Sequence, residues 1–233
     1  NALAVQLRRR FSRGFQASLA YTWAHAIDYK AGSYQDNLGF SSIDSYANTW
    51  NGNYKADKGS GLLDQRHRMA ITFVEQPRFT RRDGAFYKYA VNNWQLSGVV
   101  TLASGRPVTA YVGISGLTPF PDAAWSSTLN GYGGNSRVPF WSTAPQYTPP
   151  VYRADARISK VLPFGERYRL YVNFEAFNLT NTIVDTSLNG QAYTLTANRI
   201  LTPTAGYGLG RASGGFPDGT NARRAQVSLR FAF

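Results

Sequence analysis

The 233-residue sequence contains no cysteine, which excludes disulfides, thiolate metal sites and cysteine nucleophiles. Its single methionine is Met69, so no translation start or signal peptide is visible, and we expect a fragment or a processed product. No stretch approaches the roughly 18–20 uninterrupted apolar residues of a membrane-spanning helix. Acidic residues are few, because 13 Asp and Glu stand against 25 Lys and Arg. The net charge of +12 permits an anionic partner without choosing among nucleic acid, lipid and solute.

Seven segments alternate between apolar and polar residues with the two-residue period of a β-strand. In the C-terminal segment AQVSLRFAF (225–233), the apolar residues from Val227 to Phe233 share one face, and Gln226, Ser228 and Arg230 share the other. The other segments are ALAVQL (2–7), FQASLAYTWA (15–24), RHRMAITFVE (66–75), NWQLSGVVTLASG (93–105), YRADARIS (152–159) and YRLYVNFEAF (168–177). Most are close to the roughly 9–11 residues that a tilted strand needs to cross a bilayer. No segment has a helical pattern over three turns.

The connections between these segments alternate in length. FSRG (11–14), PFGER (163–167) and the stretch from about 77 to 90 are short or moderate, and the last of these has Asp83-Gly84 as its predicted turn. The other three connections are long and are rich in Gly, Ser, Thr, Asn, Tyr and Pro: about 28–62, 105–151 and 182–222. In an up-and-down meander, this alternation places all short turns at one end and all long loops at the other, as in outer-membrane barrels.

We therefore predict an all-β fold, an antiparallel up-and-down meander of about seven long strands with the three long loops outside the cell. Bacterial single-chain barrels have even strand numbers from eight upward, so we expect a C-terminal portion of a larger transmembrane β-barrel, with an unpaired first strand. A soluble β-sandwich or a cell-surface β-repeat explains the alternation within strands equally well. It explains the regular loop lengths and the aromatic ends of the strands poorly.

Aromatic residues mark both ends of the predicted strands. Girdles of aromatic residues flank the apolar band of membrane barrels. Tyr21, Trp23 and Tyr152 lie toward the predicted outer end. We predict lipid-interface anchors at the periplasmic end, namely Phe15, Trp94, Tyr168, Phe231 and Phe233.

Four stretches resemble the C-terminal barrel of TonB-dependent outer-membrane receptors. They are DQRHRMAITFV (64–74), NNWQLSGVVTLASGRPVTA (92–110), RADARISKVLPFGERYRLYVNFEAFNLTNT (153–182) and RRAQVSLRFAF (223–233). The subgroup they resemble has an N-terminal carboxypeptidase-regulatory-like domain and is abundant in Acidobacteria. The resemblance implies a barrel of about 22 strands around an N-terminal plug, with import energised by TonB. Plug and TonB box have no counterpart here, so the implied partners are outer-membrane lipid, the chain's own missing plug, TonB and an unknown solute.

Polar residues of the predicted strands form a second set of candidates. We predict that they face a watery lumen: Arg153, Asp155, Arg157, Arg169, Asn173, Glu175 and Arg230. Cross-strand ion pairs such as Arg157 with Glu175 are plausible. The set could form a basic wall that guides an anionic solute or grips the plug, or charge networks that keep a wide lumen hydrated.

No catalytic, metal or nucleotide motif is evident, so we predict no enzyme activity, no metal and no cofactor. His25 and His67 are the only histidines, and a zinc site needs about three or four ligands. Asp64 with RHR (66–68) lacks a nucleophile elbow and is predicted to form a hydrogen-bonded rim. GYGLGRASGG (206–215) lacks the strand and helix that a dinucleotide loop requires.

The basic clusters RRR (8–10) and RFTRR (78–82) belong to no nucleic-acid-binding module, so anionic lipid headgroups are the nearer partner. Loop aromatics suit sugar faces or chelators as well as packing between loops. The ligand-contact candidates are Trp50, Tyr54, Trp125, Tyr132 and Trp141. The sequence thus predicts a component of an outer-membrane active transporter in a Gram-negative bacterium, taking up a glycan fragment or a siderophore-like solute. The alternative is a soluble or surface-attached β-rich carbohydrate-binding module.

Overall fold

The computed structural model describes residues 1–28, 55, 58–61, 63–114, 137–138, 140–165, 167–195, 200–211 and 221–233. Seven long strands, numbered β1 to β7 in chain order, dominate this part of the chain. Their bounds are Ala2–Ser12, Phe15–Ala24, His67–Glu75, Trp94–Ala103, Val151–Phe164, Tyr168–Phe177 and Arg224–Ala232. Each strand overlaps one of the seven alternating segments, because a two-residue period suits a sheet with two chemically different faces. β1 and β5 extend several residues beyond the predicted 2–7 and 152–159.

The seven strands form a single antiparallel sheet in chain order, each hydrogen-bonded to its neighbour along the chain. The predicted all-β, up-and-down meander is therefore confirmed. The described strands leave β1 and β7 as the edges of the sheet, each with a single hydrogen-bonded neighbour.

The strand register separates two faces across the whole sheet. On the apolar face, Leu19 pairs with Ile71 and Ile71 pairs with Val100, and the same face continues through Ile158 and Phe174. The alternate residues form the polar face. A one-residue slip in any pairing would exchange the two faces of that strand, so the pattern specifies the register strongly.

The apolar face is open over much of its area. Val227 and Leu229 are 66% and 70% exposed, and Leu3, Ile158 and Phe174 are also exposed. No second layer of the described chain covers these side chains. Phe73 fills the one gap in this face, because a Cβ at Gly98 would lie 2.7 Å from its ring.

The turns at one end of the sheet are short, and we call this the short-link end. Ser12 pairs with Phe15, and the two residues between them, Arg13 and Gly14, both have positive φ, as in a type I′ hairpin. The second short turn, after Phe164, contains Gly165, also with positive φ.

The third connection at the short-link end, residues 76–93, contains the π-helix Tyr87–Val91. Gly84 has a φ of 134°, and its carbonyl accepts a hydrogen bond from the Lys88 amide at 3.0 Å. The predicted Asp83-Gly84 turn therefore leads into a helical turn that the alternation pattern did not reveal.

The three long connections, residues 25–66, 104–150 and 178–223, join strands at the opposite end of the sheet, which we call the long-loop end. They contain short strand pairs: Ile27–Asp28 with Gly59–Ser60, Pro107–Val108 with Gln146–Tyr147, and Ser187–Leu188 with Gly210–Arg211. A three-stranded sheet joins Tyr111–Ile114, Gln191–Leu195 and Leu201–Pro203. The buried apolar core of the described chain lies here and consists of Ala110, Val112, Val138, Ala192 and Leu195.

Candidate functional site

The polar face carries two ion pairs near its middle. Arg153 Nε lies 3.1 Å from Asp155 Oδ1, although the Arg153 residue is only 3% exposed. Arg157 on β5 pairs with Glu175 on β6, directly opposite in the register. The cross-strand pair expected from the sequence is present, because antiparallel neighbours on one face lie within reach of each other.

The remaining polar-face candidates form no ion pair with any residue that the structure describes. Asn173 donates a hydrogen bond to the Ser228 hydroxyl at 3.2 Å. Arg169 and Arg230 lie nearer the short-link end and form no ion pair with any described carboxylate. The seven predicted residues therefore divide into two groups. One lies from the middle of the face toward the long-loop end and is neutralised, and the other is a basic pair nearer the short-link end that no described carboxylate neutralises.

The five predicted interface anchors lie at the short-link end on the apolar face. The Tyr168 and Phe231 rings stack at 5.8 Å, and the Phe231 and Phe233 rings stack at 6.4 Å. Phe15 carries the guanidinium of Arg9 over its ring at 5.1 Å. Trp94 holds the ammonium of Lys160 over its ring at 4.7 Å. Such aromatic–cation pairs suit a boundary between hydrocarbon and water.

The sequence analysis overlooked Lys160. Its register places it on the apolar face, opposite Trp94 and Val172. Its amine reaches toward the short-link end and donates hydrogen bonds to the carbonyls of Ala90 and Asn92. A lysine at an apolar position of the alternation, between Ile158 and Leu162, was the signal that could have identified this contact.

Asp64 anchors the rim where β3 begins. Its carboxylate accepts a hydrogen bond from the Ala26 amide at 2.9 Å and forms an ion pair with Arg66 at 3.3 Å. His67 Nδ1 lies 2.9 Å from the Tyr21 hydroxyl. The hydrogen-bonded rim predicted for this cluster is confirmed.

Asn178 is the first residue of the long connection that follows β6, and it links the two ends of that connection. It is 1% exposed, and its positive φ of 53° turns the chain away from the strand. Its side-chain amide donates to the carbonyls of Thr182 and Asn221, and its oxygen accepts from the Thr182 amide. The family-like EAFNLTN stretch therefore ties the two ends of residues 178–223 together.

The described parts of connections 104–150 and 178–223 form one packed unit through their shared core. Trp141 lies against this core, with its ring 5.6 Å from Tyr193 and 5.5 Å from Tyr207. Burial raises the pKa of the Tyr207 hydroxyl, and the neighbouring Tyr193 adds to the rise. The Tyr207 phenol therefore stays neutral under physiological conditions.

Of the five predicted ligand-contact residues, the structure describes Trp141. Trp141 packs between loops, although Phe140 and Tyr147 beside it remain exposed. The other four candidates, Trp50, Tyr54, Trp125 and Tyr132, lie outside the described residues.

The described residues contain neither a metal-binding cluster nor a membrane-spanning helix. No group of three or more His, Asp or Glu side chains among the described residues is placed to hold a metal ion. Among these residues, no helix has the length and apolar character needed to cross a bilayer.

An exposed apolar face, a polar face with internal ion pairs and an aromatic end define a class of protein, the β-sheet wall that faces lipid on one side and water on the other. The family model described as "Outer membrane beta barrel domain" matches residues 1–200. The chain belongs to this family and is located in the outer membrane. No curated protein and no solved structure matches it.

Proposed function

We propose that the chain forms barrel wall and extracellular loops of a TonB-dependent receptor that takes up a large nutrient. The observation that carries the proposal is where the receptor-like motifs lie in the fold. DQRH (64–67), SGRP (104–107) and NLTN (178–181) all lie where strands reach the long-loop end and hold the loops there.

The packed unit of connections 104–150 and 178–223 suits the outward side of such a receptor. Its three-stranded sheet and buried core give it a defined shape, which a ligand-receiving surface requires. Phe140 and Tyr147 are 60% and 50% exposed on this unit. Flat aromatic rings of this kind suit the apolar faces of sugars or aromatic chelators, so the proposed solutes are glycan fragments and siderophore-like molecules.

The open edges of the sheet support a larger barrel. An unpaired strand edge in hydrocarbon leaves backbone groups without hydrogen bonds, and each such group costs several kcal/mol. We infer that β1 and β7 pair with further strands in the membrane. In the proposed receptor, the polar face borders a lumen that a plug domain fills, and TonB acts through that plug.

The alternative of a soluble carbohydrate-binding module is not supported. A soluble sandwich requires the apolar face to pack against a second layer. Val227 and Leu229 on this face are instead 66% and 70% exposed.

Energised uptake tests the proposal. Cells that carry the complete gene, and cells that lack it, are given fluorescent oligosaccharides or radiolabelled ferric siderophores. The proposal expects gene-dependent uptake of one solute class, abolished by a protonophore and by loss of TonB. Gene-dependent uptake that survives both treatments would indicate a passive channel and would overturn the assignment.

A further inference from the structure

The link of residues 76–93 and the polar face at the short-link end form an open cavity of about 890 Å³. The sheet contributes Gln95, Val161, Arg169 and Tyr171 from its polar face, together with Trp94 at the start of β4. The link contributes the opposite side. The cavity is thus separate from the loop unit at the other end of the strands.

The cavity lining is basic. Arg78, Arg82, Lys88 and Arg169 line it, against the single carboxylate of Asp83 among the described lining residues. Arg78 Nε donates to the Thr80 carbonyl at 3.4 Å, and Arg82 donates to the Tyr87 hydroxyl at 3.2 Å. None of the four cations forms an ion pair with a described carboxylate. Arg230, paired with Tyr171 in the register, adds a fifth positive charge beside the cavity.

Hydrogen bonds that do not involve the four cationic side chains hold the link in place. Lys160 donates to the Ala90 and Asn92 carbonyls, and the Tyr89 hydroxyl donates to the Pro163 carbonyl at 3.0 Å. Within the link, Asn92 Nδ2 donates to the Thr80 carbonyl at 2.9 Å. The basic groups are therefore collected on a fixed frame, which reduces the ordering cost of binding.

We propose that this cavity is a binding site for small anions that carry two or more carboxylate or phosphate groups. Guanidinium groups form paired, charge-assisted hydrogen bonds with such oxygens, and the cavity offers three guanidiniums and an ammonium. The ion pairs of Arg153 and Arg157 make the middle of the polar face a poorer anion site, because those cations are already neutralised. The site does not depend on TonB coupling, so it goes beyond the proposed function.

Calorimetric titration of the complete protein, purified in neutral detergent, tests the site, with pyrophosphate and citrate as probes. The double variant with Arg82→Gln and Lys88→Gln should bind each probe at least about tenfold more weakly, the equivalent of about 1.4 kcal/mol. Arg81→Gln is the matched control, because Arg81 is an exposed residue of the same link that does not line the cavity. Its affinity should equal that of the unmodified chain.

Asp83→Asn provides a second variant that keeps the cations and removes the carboxylate. It should tighten binding of both probes, and its fold is checked by heat-dependent mobility on gels. Absence of probe binding to the unmodified chain would overturn the site, as would equal weakening by Arg81→Gln or no tightening by Asp83→Asn. Because this assay uses no cells and no TonB, its failure is distinguishable from failure of energised uptake.

Discussion

Single residues at the long-loop end show why the receptor-like motifs require particular residue types. Asn178 supplies both a left-handed backbone conformation and a side chain that satisfies polar groups on two segments. Gly105 is required for a different reason, since a Cβ there would lie 1.7 Å from the Thr148 carbonyl oxygen. Asn178 also begins a glycosylation sequon, but at 1% exposure it is inaccessible in the folded chain.

Asn178→Gly should lower the free energy of unfolding by about 2–4 kcal/mol, because buried polar groups lose their partners. Glycine tolerates the positive φ, so backbone strain is not part of the effect. Asn181→Gly is the matched control, since Asn181 has nearly the same φ, 52°, but is exposed. It should change the unfolding free energy by less than about 0.5 kcal/mol in urea titrations. Equal losses in the two variants would refute a hydrogen-bonding role for Asn178.

Strands and links show how the short-link end is assembled. The two tight turns need only residues that accept positive φ, such as Gly14 and Gly165. The 76–93 link instead needs tertiary contacts. Lys160 on β5 donates hydrogen bonds to two backbone carbonyls of this link, which is far from β5 in sequence. An amine on the apolar face is tolerated there because it reaches out of the hydrocarbon to polar groups.

Lys160→Met should loosen the link without disturbing the sheet. Each hydrogen bond to a charged group contributes about 1.5–3 kcal/mol, and about 1.4 kcal/mol already raises the population of an open link tenfold. Trypsin should then cleave after Arg81 and Arg82 at least about ten times faster. Arg167→Met removes a cation from a turn at the same end and should leave this rate unchanged. Identical cleavage rates for Lys160→Met and the unmodified chain would refute the bridging role.

The whole sheet is amphipathic across its thickness, and its orientation toward lipid can be tested on β7. Leu229 lies on the apolar face and is 70% exposed, and the adjacent Ser228 lies on the polar face. Leu229→Arg should cost about 2–4 kcal/mol of folding free energy in a bilayer, and Ser228→Arg should cost little. Urea unfolding in lipid vesicles measures both. A larger loss for Ser228→Arg would reverse the assignment of the two faces.

The basic charge of the chain is also distributed over the molecule unevenly. On the polar face, carboxylates accompany Arg153 and Arg157, but no described carboxylate pairs with Arg169 or Arg230. The sequence analysis treated all of these residues as one set, which could form either a basic wall or hydrating charge networks. The link brings Arg78, Arg82 and Lys88 to the unneutralised part, which the sequence analysis had assigned to lipid headgroups or left unassigned.

The strands, their order and the chemistry of each face were predictable from the residues alone, because a two-residue period and alternating loop lengths are local properties of the chain. The ion pair of Arg157 and Glu175 followed from that register. The tertiary structure alone revealed the cavity under residues 76–93, the bridge from Lys160 and the core shared by two long connections. These depend on contacts between residues tens of positions apart, and no periodicity within a segment encodes which distant segments will meet.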